Sequence, residues 1–183
     1  MAEPEKRGAV IFDRDGVLNR DVEYAFRPDQ IVWTEDAAAA VRAVNQAGLY
    51  AFVATNQSGI GRGYYTEADM HALHEWMARE LGRDDARLDA IVYSPWHPQA
   101  EVEAYRRDSD WRKPGPGMIL DLLSRFPVDS TRTVMIGDKD TDVQAAQAAG
   151  IEGLKFEGGS LLQFIQPILA RMAAAPAVTR GPS

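Results

Sequence analysis

The 183-residue chain is long enough for one domain with a sizeable buried core. Its 45% hydrophobic and 26% charged residues suit a folded globular protein, and its net charge of -7 weighs against a general nucleic-acid binder. Without cysteine it can form neither disulfides nor thiolate metal sites.

Residues 1–7 are polar and charged, unlike a signal peptide, and no apolar run reaches the ~18 residues of a membrane span. A cytoplasmic location and no membrane partner are expected. Residues 9–12 (AVIF) read as a buried strand closed by the polar turn Asp13-Arg14-Asp15-Gly16. Asp36 is placed to N-cap a helix through Ala47, ended by Gly48. A second strand follows at 49–54. Thr66 caps a helix to about Leu81, with Asp69 in its first turn, where the helix dipole favours an acid.

A third strand at 90–93 leads into a long irregular segment, 94–116. Then come a helix at 118–126, a strand at 133–136, an Ala-rich helix at 141–149 closed by Gly150, a strand at 153–156 and a helix at 160–173. Residues 175–183 hold two prolines without amphipathic pattern, so a mobile tail is expected after a single domain over 1–174. Strands alternating with helices predict a doubly wound α/β fold with a mainly parallel sheet and no large cap domain. Ligands of such sheets bind beyond the carboxyl ends of the strands.

Four polar segments fall after predicted strands or in loops: Asp13-Arg14-Asp15-Gly16, Thr55-Asn56-Gln57-Ser58, Arg112-Lys113-Pro114 and residues 137–142 (GDKDTD). Each alone could be a turn or a helix start. Together they gather carboxylates that would repel unless a cation joined them. Magnesium suits this set, because it takes a few carboxylates plus phosphate and water. Asp13 and Asp138 are the expected side-chain ligands, with Asp15 giving its main-chain carbonyl and keeping its side chain free.

A carboxylate nucleophile beside magnesium is one solution to phosphoryl transfer. On that reading Asp13 attacks, and Asp15 protonates the leaving oxygen and later activates water. Thr55 and Lys113 stabilise the phosphoryl oxygens.

The order D-x-D, Thr, Lys, G-D-x-x-x-D resembles the haloacid dehalogenase superfamily of phosphatases. The resemblance implies the same roles for Asp13, Asp15, Thr55, Lys113 and Asp138, with Asp142 a supporting acid near the metal. More narrowly, residues 12–19 (FDRDGVLN), 55–63 (TNQSGIGRG), 97–98, 112–114 and 137–139 are similar to the D-glycero-D-manno-heptose 1,7-bisphosphate phosphatases, whose subgroup includes histidinol-phosphate phosphatases. That likeness covers about residues 9–157. It implies that Asp21, Tyr24, Asn56, Gln57, Ser58, Arg62, Arg112 and Lys139 surround the substrate, and that Arg112 meets sugar hydroxyls or a second phosphate.

Many subgroup members hold the loop after the third strand with a structural zinc. The four ligand positions here are Ser94, Trp96, Ser109 and Trp111, so no structural zinc is expected. Packing of the two tryptophans is expected in its place. His71 and His74, three apart on a helix, have no third ligand and read as solvated or core-edge residues. The glycine-rich 59–63 segment fits no phosphate-loop pattern and reads as a flexible turn carrying Arg62.

The expected function is a magnesium-dependent phosphatase, monomeric, acting on a small phosphorylated metabolite, foremost the heptose bisphosphate. Alternatives are histidinol phosphate, a nucleic-acid 3'-phosphate, which the acidic charge disfavours, or a silent phospholigand-binding module. The presence of both Asp13 and Asp15 argues against silence.

Overall fold

The computed structural model describes residues 5–174, so the expected mobile tail at 175–183 lies outside the described residues. Five apolar segments pair as one parallel sheet: β1 (Arg7–Phe12), β2 (Tyr50–Asn56), β3 (Ala90–Ser94), β4 (Val128–Gly137) and β5 (Glu152–Lys155). The order is β3-β2-β1-β4-β5. The chain therefore winds outward from β1 to β3, then crosses back to lay β4 on the other side of β1. The crevice beyond the ends of β1 and β4 is the topological switch point.

Strand alternation divides the core between the two faces. Val10 and Phe12 join Val41, Val44 and Ile165, beneath α1 (Ala37–Gln46) and α6 (Leu161–Ala174). Ala9 and Ile11 join Phe52, Met118 and Leu122 on the opposite face, covered by α4 (Gly117–Arg125) and α5 (Asp140–Ala148). The central strands β1 and β2 are buried on both faces, which is why residues 9–12 and 50–54 read as unbroken apolar runs. Among the described residues no cap domain is inserted, and no helix is long and apolar enough to cross a membrane.

The helix over Glu67–Gly82, α3, starts as expected. The Thr66 hydroxyl accepts from Asp69 N–H at 3.1 Å, and Asp69 accepts from Thr66 N–H at 2.8 Å. Asp36 stands at the N-cap position of α1, as expected, but makes no side-chain cap bond. It sits in the left-handed region at φ 61° and accepts from the Ser160 hydroxyl at 2.6 Å, tying α1 to the start of α6 instead. At α5 the cap position is Lys139, and the Asp142 carboxylate reaches back to accept from its N–H at 3.0 Å.

The 59–63 segment is not a flexible turn. Ser58–Gly61 forms one helical turn, α2, with Gly59, Ile60 and Gly61 buried. A Cβ on Gly59 would lie 2.2 Å from the Tyr65 ring, so glycine here serves close packing rather than mobility.

The tryptophans do pack together. The Trp96 and Trp111 rings meet edge to face with centroids 6.2 Å apart, and the Arg107 guanidinium lies 4.1 Å over the Trp96 ring. Trp111 also packs on the core face that holds Phe52 and Met118. Apolar burial thus anchors the loop that delivers Arg112 and Lys113. Trp111→Ala should lower unfolding free energy by about 2–3 kcal/mol, measured by urea denaturation. A loss within experimental error would show that the pair is a surface ornament.

Candidate active site

Each expected catalytic residue emerges from the carboxyl end of a strand or the loop beside it. Asp13 follows β1 directly, and its N–H continues the ladder to Ile136 of β4 at 2.8 Å. Thr55 is the penultimate residue of β2, and Asp138 follows β4. The sheet therefore fixes these backbones before any side-chain contact is made.

Lys113 is the hub. Only 3% exposed, its ammonium donates to Asp13 Oδ1 at 2.9 Å, Asp142 Oδ1 at 2.6 Å and the Ala54 carbonyl at 2.9 Å. An ammonium has three donors, and all three are used. Asn56 fixes the Lys113 backbone from both sides, its amide accepting from Lys113 N–H at 3.0 Å and donating to Lys113 C=O at 3.1 Å. Asn56, expected among the substrate contacts, thus spends its side-chain amide on positioning Lys113.

Burial pushes the Asp13 carboxyl up to about 7, against the opposing pull of the Lys113 ammonium. The two carboxylates in turn outweigh burial at Lys113 and hold its ammonium above the ordinary lysine value. Asp13 Oδ1 also accepts from Arg14 N–H at 2.8 Å. Its Oδ2 accepts from no donor among the described residues, which leaves that oxygen free for chemistry.

Asp13, Asp138 and Asp142 each bring a carboxylate oxygen within 4.8 Å of the others. Asp142 is already spent: one oxygen takes Lys113 and the other the Lys139 N–H. Asp138 is not. Its Oδ1 is buried without a partner, and burial raises its pKa. A buried, unpaired carboxylate oxygen beside Asp13 is costly unless a cation completes it. Two hard oxygen donors with space for phosphate and water fit magnesium.

The Asp15 side chain is not free, contrary to expectation. Its Oδ1 accepts from Arg14 Nε at 3.2 Å and Asn19 Nδ2 at 2.9 Å. Its Oδ2 accepts from Arg14 Nη2 at 2.9 Å and Gln57 Nε2 at 3.1 Å. All four lone-pair positions are filled, so accepting a proton means giving up one donor. Gln57, expected to face the substrate, is 2% exposed and donates also to Thr55 Oγ1 at 2.8 Å. The Tyr65 hydroxyl, held protonated by burial that pushes it up to about 12, donates to Gln57 Oε1 at 2.6 Å. Because Thr55 Oγ1 accepts from Gln57, its own proton remains to donate into the cavity.

That cavity, of about 400 Å³, is lined by Asp13, Asp15, Thr55 and Lys113, by Asn56 and Gln57 as expected, and by Asp21, Tyr24, Ser58, Arg112 and Lys139 around them. Lys139 pairs with Asp21 at 3.0 Å across the rim. Arg112 Nη1 is buried without a partner; burial and then the nearby Arg62 charge hold this guanidinium below its ordinary pKa. Arg62 itself is not a lining residue, and its Nε is likewise buried and unpaired. The sequence reading missed Arg14, Asn19, Tyr65 and His74. A buried arginine between two catalytic acids was the available signal, since such a group needs several acceptors.

A family model described as HAD-hydrolase-like matches residues 110–161. The chain is 45% identical to the D-glycero-beta-D-manno-heptose-1,7-bisphosphate 7-phosphatase of Rhodopseudomonas palustris, over 95% of this chain and 97% of that one. It is 37% identical to the corresponding alpha-heptose enzyme of Burkholderia mallei, over 97% of this chain and 90% of that one. Its fold matches the structure of D,D-heptose 1,7-bisphosphate phosphatase from B. bronchiseptica complexed with magnesium and phosphate. The TM-score is 0.73 at 32% identity, over 90% of this chain and 86% of that one.

Gly16 has φ +87°, and a Cβ there would fall 2.3 Å from Asp138 Oδ2. Gly16→Ala should displace that carboxylate and weaken magnesium affinity on the order of tenfold, read by calorimetric titration of the ion. Unchanged affinity in a folded variant would remove Asp138 from the metal site.

Proposed function

The chain belongs to the haloacid dehalogenase superfamily, within its heptose-1,7-bisphosphate 7-phosphatase family, and on that premise we propose that it removes the 7-phosphate of D-glycero-D-manno-heptose 1,7-bisphosphate through an aspartyl-phosphate on Asp13. The observation that carries this is the convergence of Asp13, Asp138 and Asp142, with Asp13 and Asp142 paired to one buried lysine and a buried oxygen of Asp138 left for a cation.

Magnesium, when bound, is held by Asp13, Asp138 and the Asp15 main-chain carbonyl, and supplies charge stabilisation to the phosphoryl oxygens. Asp13 Oδ2, the oxygen without a donor, attacks phosphorus. As the Oδ2–P bond forms, the bond from phosphorus to the sugar O7 breaks, and Asp15 gives its proton to O7. Water then attacks the same phosphorus, Asp15 takes a proton from it, and the bond to Asp13 breaks, releasing phosphate.

Lys113 keeps Asp13 oriented and offsets its charge; to reach a phosphoryl oxygen directly it exchanges one of its three acceptors. The Thr55 hydroxyl donates to an equatorial oxygen. At the rim, the unpaired Nη1 of Arg112 meets the 1-phosphate, with Arg62 adding positive charge behind it. Asp21, Tyr24, Ser58 and Lys139 face the heptose hydroxyls. Asn56 and Gln57 act one step back, through Lys113, Asp15 and Thr55. One chain supplies every group, in keeping with a monomer acting on a cytoplasmic metabolite.

Asp13→Asn should abolish phosphate release while leaving the circular-dichroism spectrum of the folded protein intact. Retained turnover would end the covalent mechanism. With magnesium, kcat/KM for either anomer of the heptose bisphosphate should exceed that for histidinol phosphate or a 3'-phosphorylated oligonucleotide by at least about 100-fold. Comparable values across the panel would leave a phosphatase of another substrate class.

A further inference from the structure

Arg14 is 1% exposed, yet it is not among the residues that line the cavity. Its Nε and Nη2 fork the two oxygens of Asp15, Nη2 also donates to the Ala25 carbonyl at 2.9 Å, and Nη1 lies 3.1 Å from His74 Nε2. A guanidinium can only donate, so Nε2 of His74 is the acceptor and its ring proton sits on Nδ1. Burial, and then the Arg14 charge, push His74 down to about 3, so this acceptor is neutral at working pH.

The choice of a neutral acceptor matters. A carboxylate at position 74 would compete with Asp15 for the arginine's charge; an imidazole satisfies the outer N–H without competing. The planar fork then sets the plane of the Asp15 carboxylate in a way that a lysine could not. Arg14 further holds the far end of the segment that bears Glu23 and Tyr24, both in the left-handed region at φ 54° and 55°. The proton-transfer group and the substrate loop thus share one anchor, whose back is closed by α3.

We propose that His74 is a positioning residue, which acts through Arg14 to hold the Asp15 carboxylate in the orientation required for proton transfer. The inference rests on Asp15 being the acid and base of the proposed reaction. It assigns α3, otherwise a packing element, a part in catalysis through a side chain that never meets substrate.

The test compares two phosphomonoesters by kcat/KM, which reports steps through cleavage of the ester. The heptose bisphosphate has an alkyl leaving group that must be protonated, whereas p-nitrophenyl phosphate has an aryl one that needs little help. Asp15→Asn, the reference, should lose about 100-fold or more on the alkyl ester and under about tenfold on the aryl ester. His74→Leu should fall about tenfold on the alkyl ester and under about threefold on the aryl one, as expected for a misplaced proton donor. His74→Gln, whose amide oxygen can accept from Arg14, should return to within about threefold of wild type on both.

If His74→Leu does not fold, Arg14→Lys, which keeps the charge but loses the fork, should give the same alkyl-selective loss. Equal losses on the two esters, or none on the alkyl ester, would overturn the positioning role while leaving Asp15 in place. An unselective Asp15→Asn would instead remove the acid-base reading and this inference with it.

Discussion

One buried ammonium organises this molecule. Lys113 sits in the low-dielectric crevice at the switch point, with its three protons on Asp13, Asp142 and the Ala54 carbonyl. These partners come from the end of β1, the first turn of α5 and β2. A buried charge costs several kcal/mol to desolvate, so it persists only with complete pairing, and removing one partner of such a set costs about 3–5 kcal/mol. The pairing is complete here, and it ties the two halves of the sheet together where the chemistry must occur. Asn56, by clamping the lysine's backbone on both sides, determines how the long loop enters the site.

The same arrangement leaves a deficit. Asp13, Asp138 and Asp142 converge on one another, the ammonium pairs with only two of them, and Asp138 keeps a buried oxygen with no donor. The protein therefore builds the site one cation short, which is what a magnesium phosphatase requires. Gly16 and Gly137 make the crowding possible, since a Cβ on either would run into a site carboxylate: Asp138 for Gly16, Asp142 for Gly137. Specificity falls to the rim, because among the described residues no cap domain closes over the cavity. The rim carries unpaired Arg112, the Asp21–Lys139 pair and Tyr24 on a backbone held in an uncommon conformation.

The strands were legible because a parallel sheet buried on both sides must be apolar along its length, and residues 9–12 and 133–136 could be little else. Asp13, Asp15, Thr55, Lys113 and Asp138 were legible because their types and order already formed a set with complementary chemistry. The Trp96–Trp111 contact followed from two large apolar rings at positions where the related enzymes carry zinc ligands, in a loop that needed an anchor. The cap position at Asp36 was legible but its carboxylate's partner was not, because aspartate accepts equally well from its own helix or from Ser160, and sequence spacing cannot choose. The one-turn helix at Ser58–Gly61 was misread because glycine signals both freedom and closeness, and only the Tyr65 ring decides between them.

What the sequence determined by itself was the fold class, the acidic cluster and the kind of reaction, since these depend on residue types, periodicity and order. Only the tertiary structure decided who serves whom. Asn56 and Gln57 have side chains suited to a sugar hydroxyl, yet their amides are spent on Lys113, Thr55 and Asp15. Arg14 and His74 stand 60 residues apart and meet because α3 folds back across the end of β1. A polar side chain announces what it can bond to; which partner it takes is set by burial, which makes every unsatisfied group costly and leaves one network that satisfies nearly all of them.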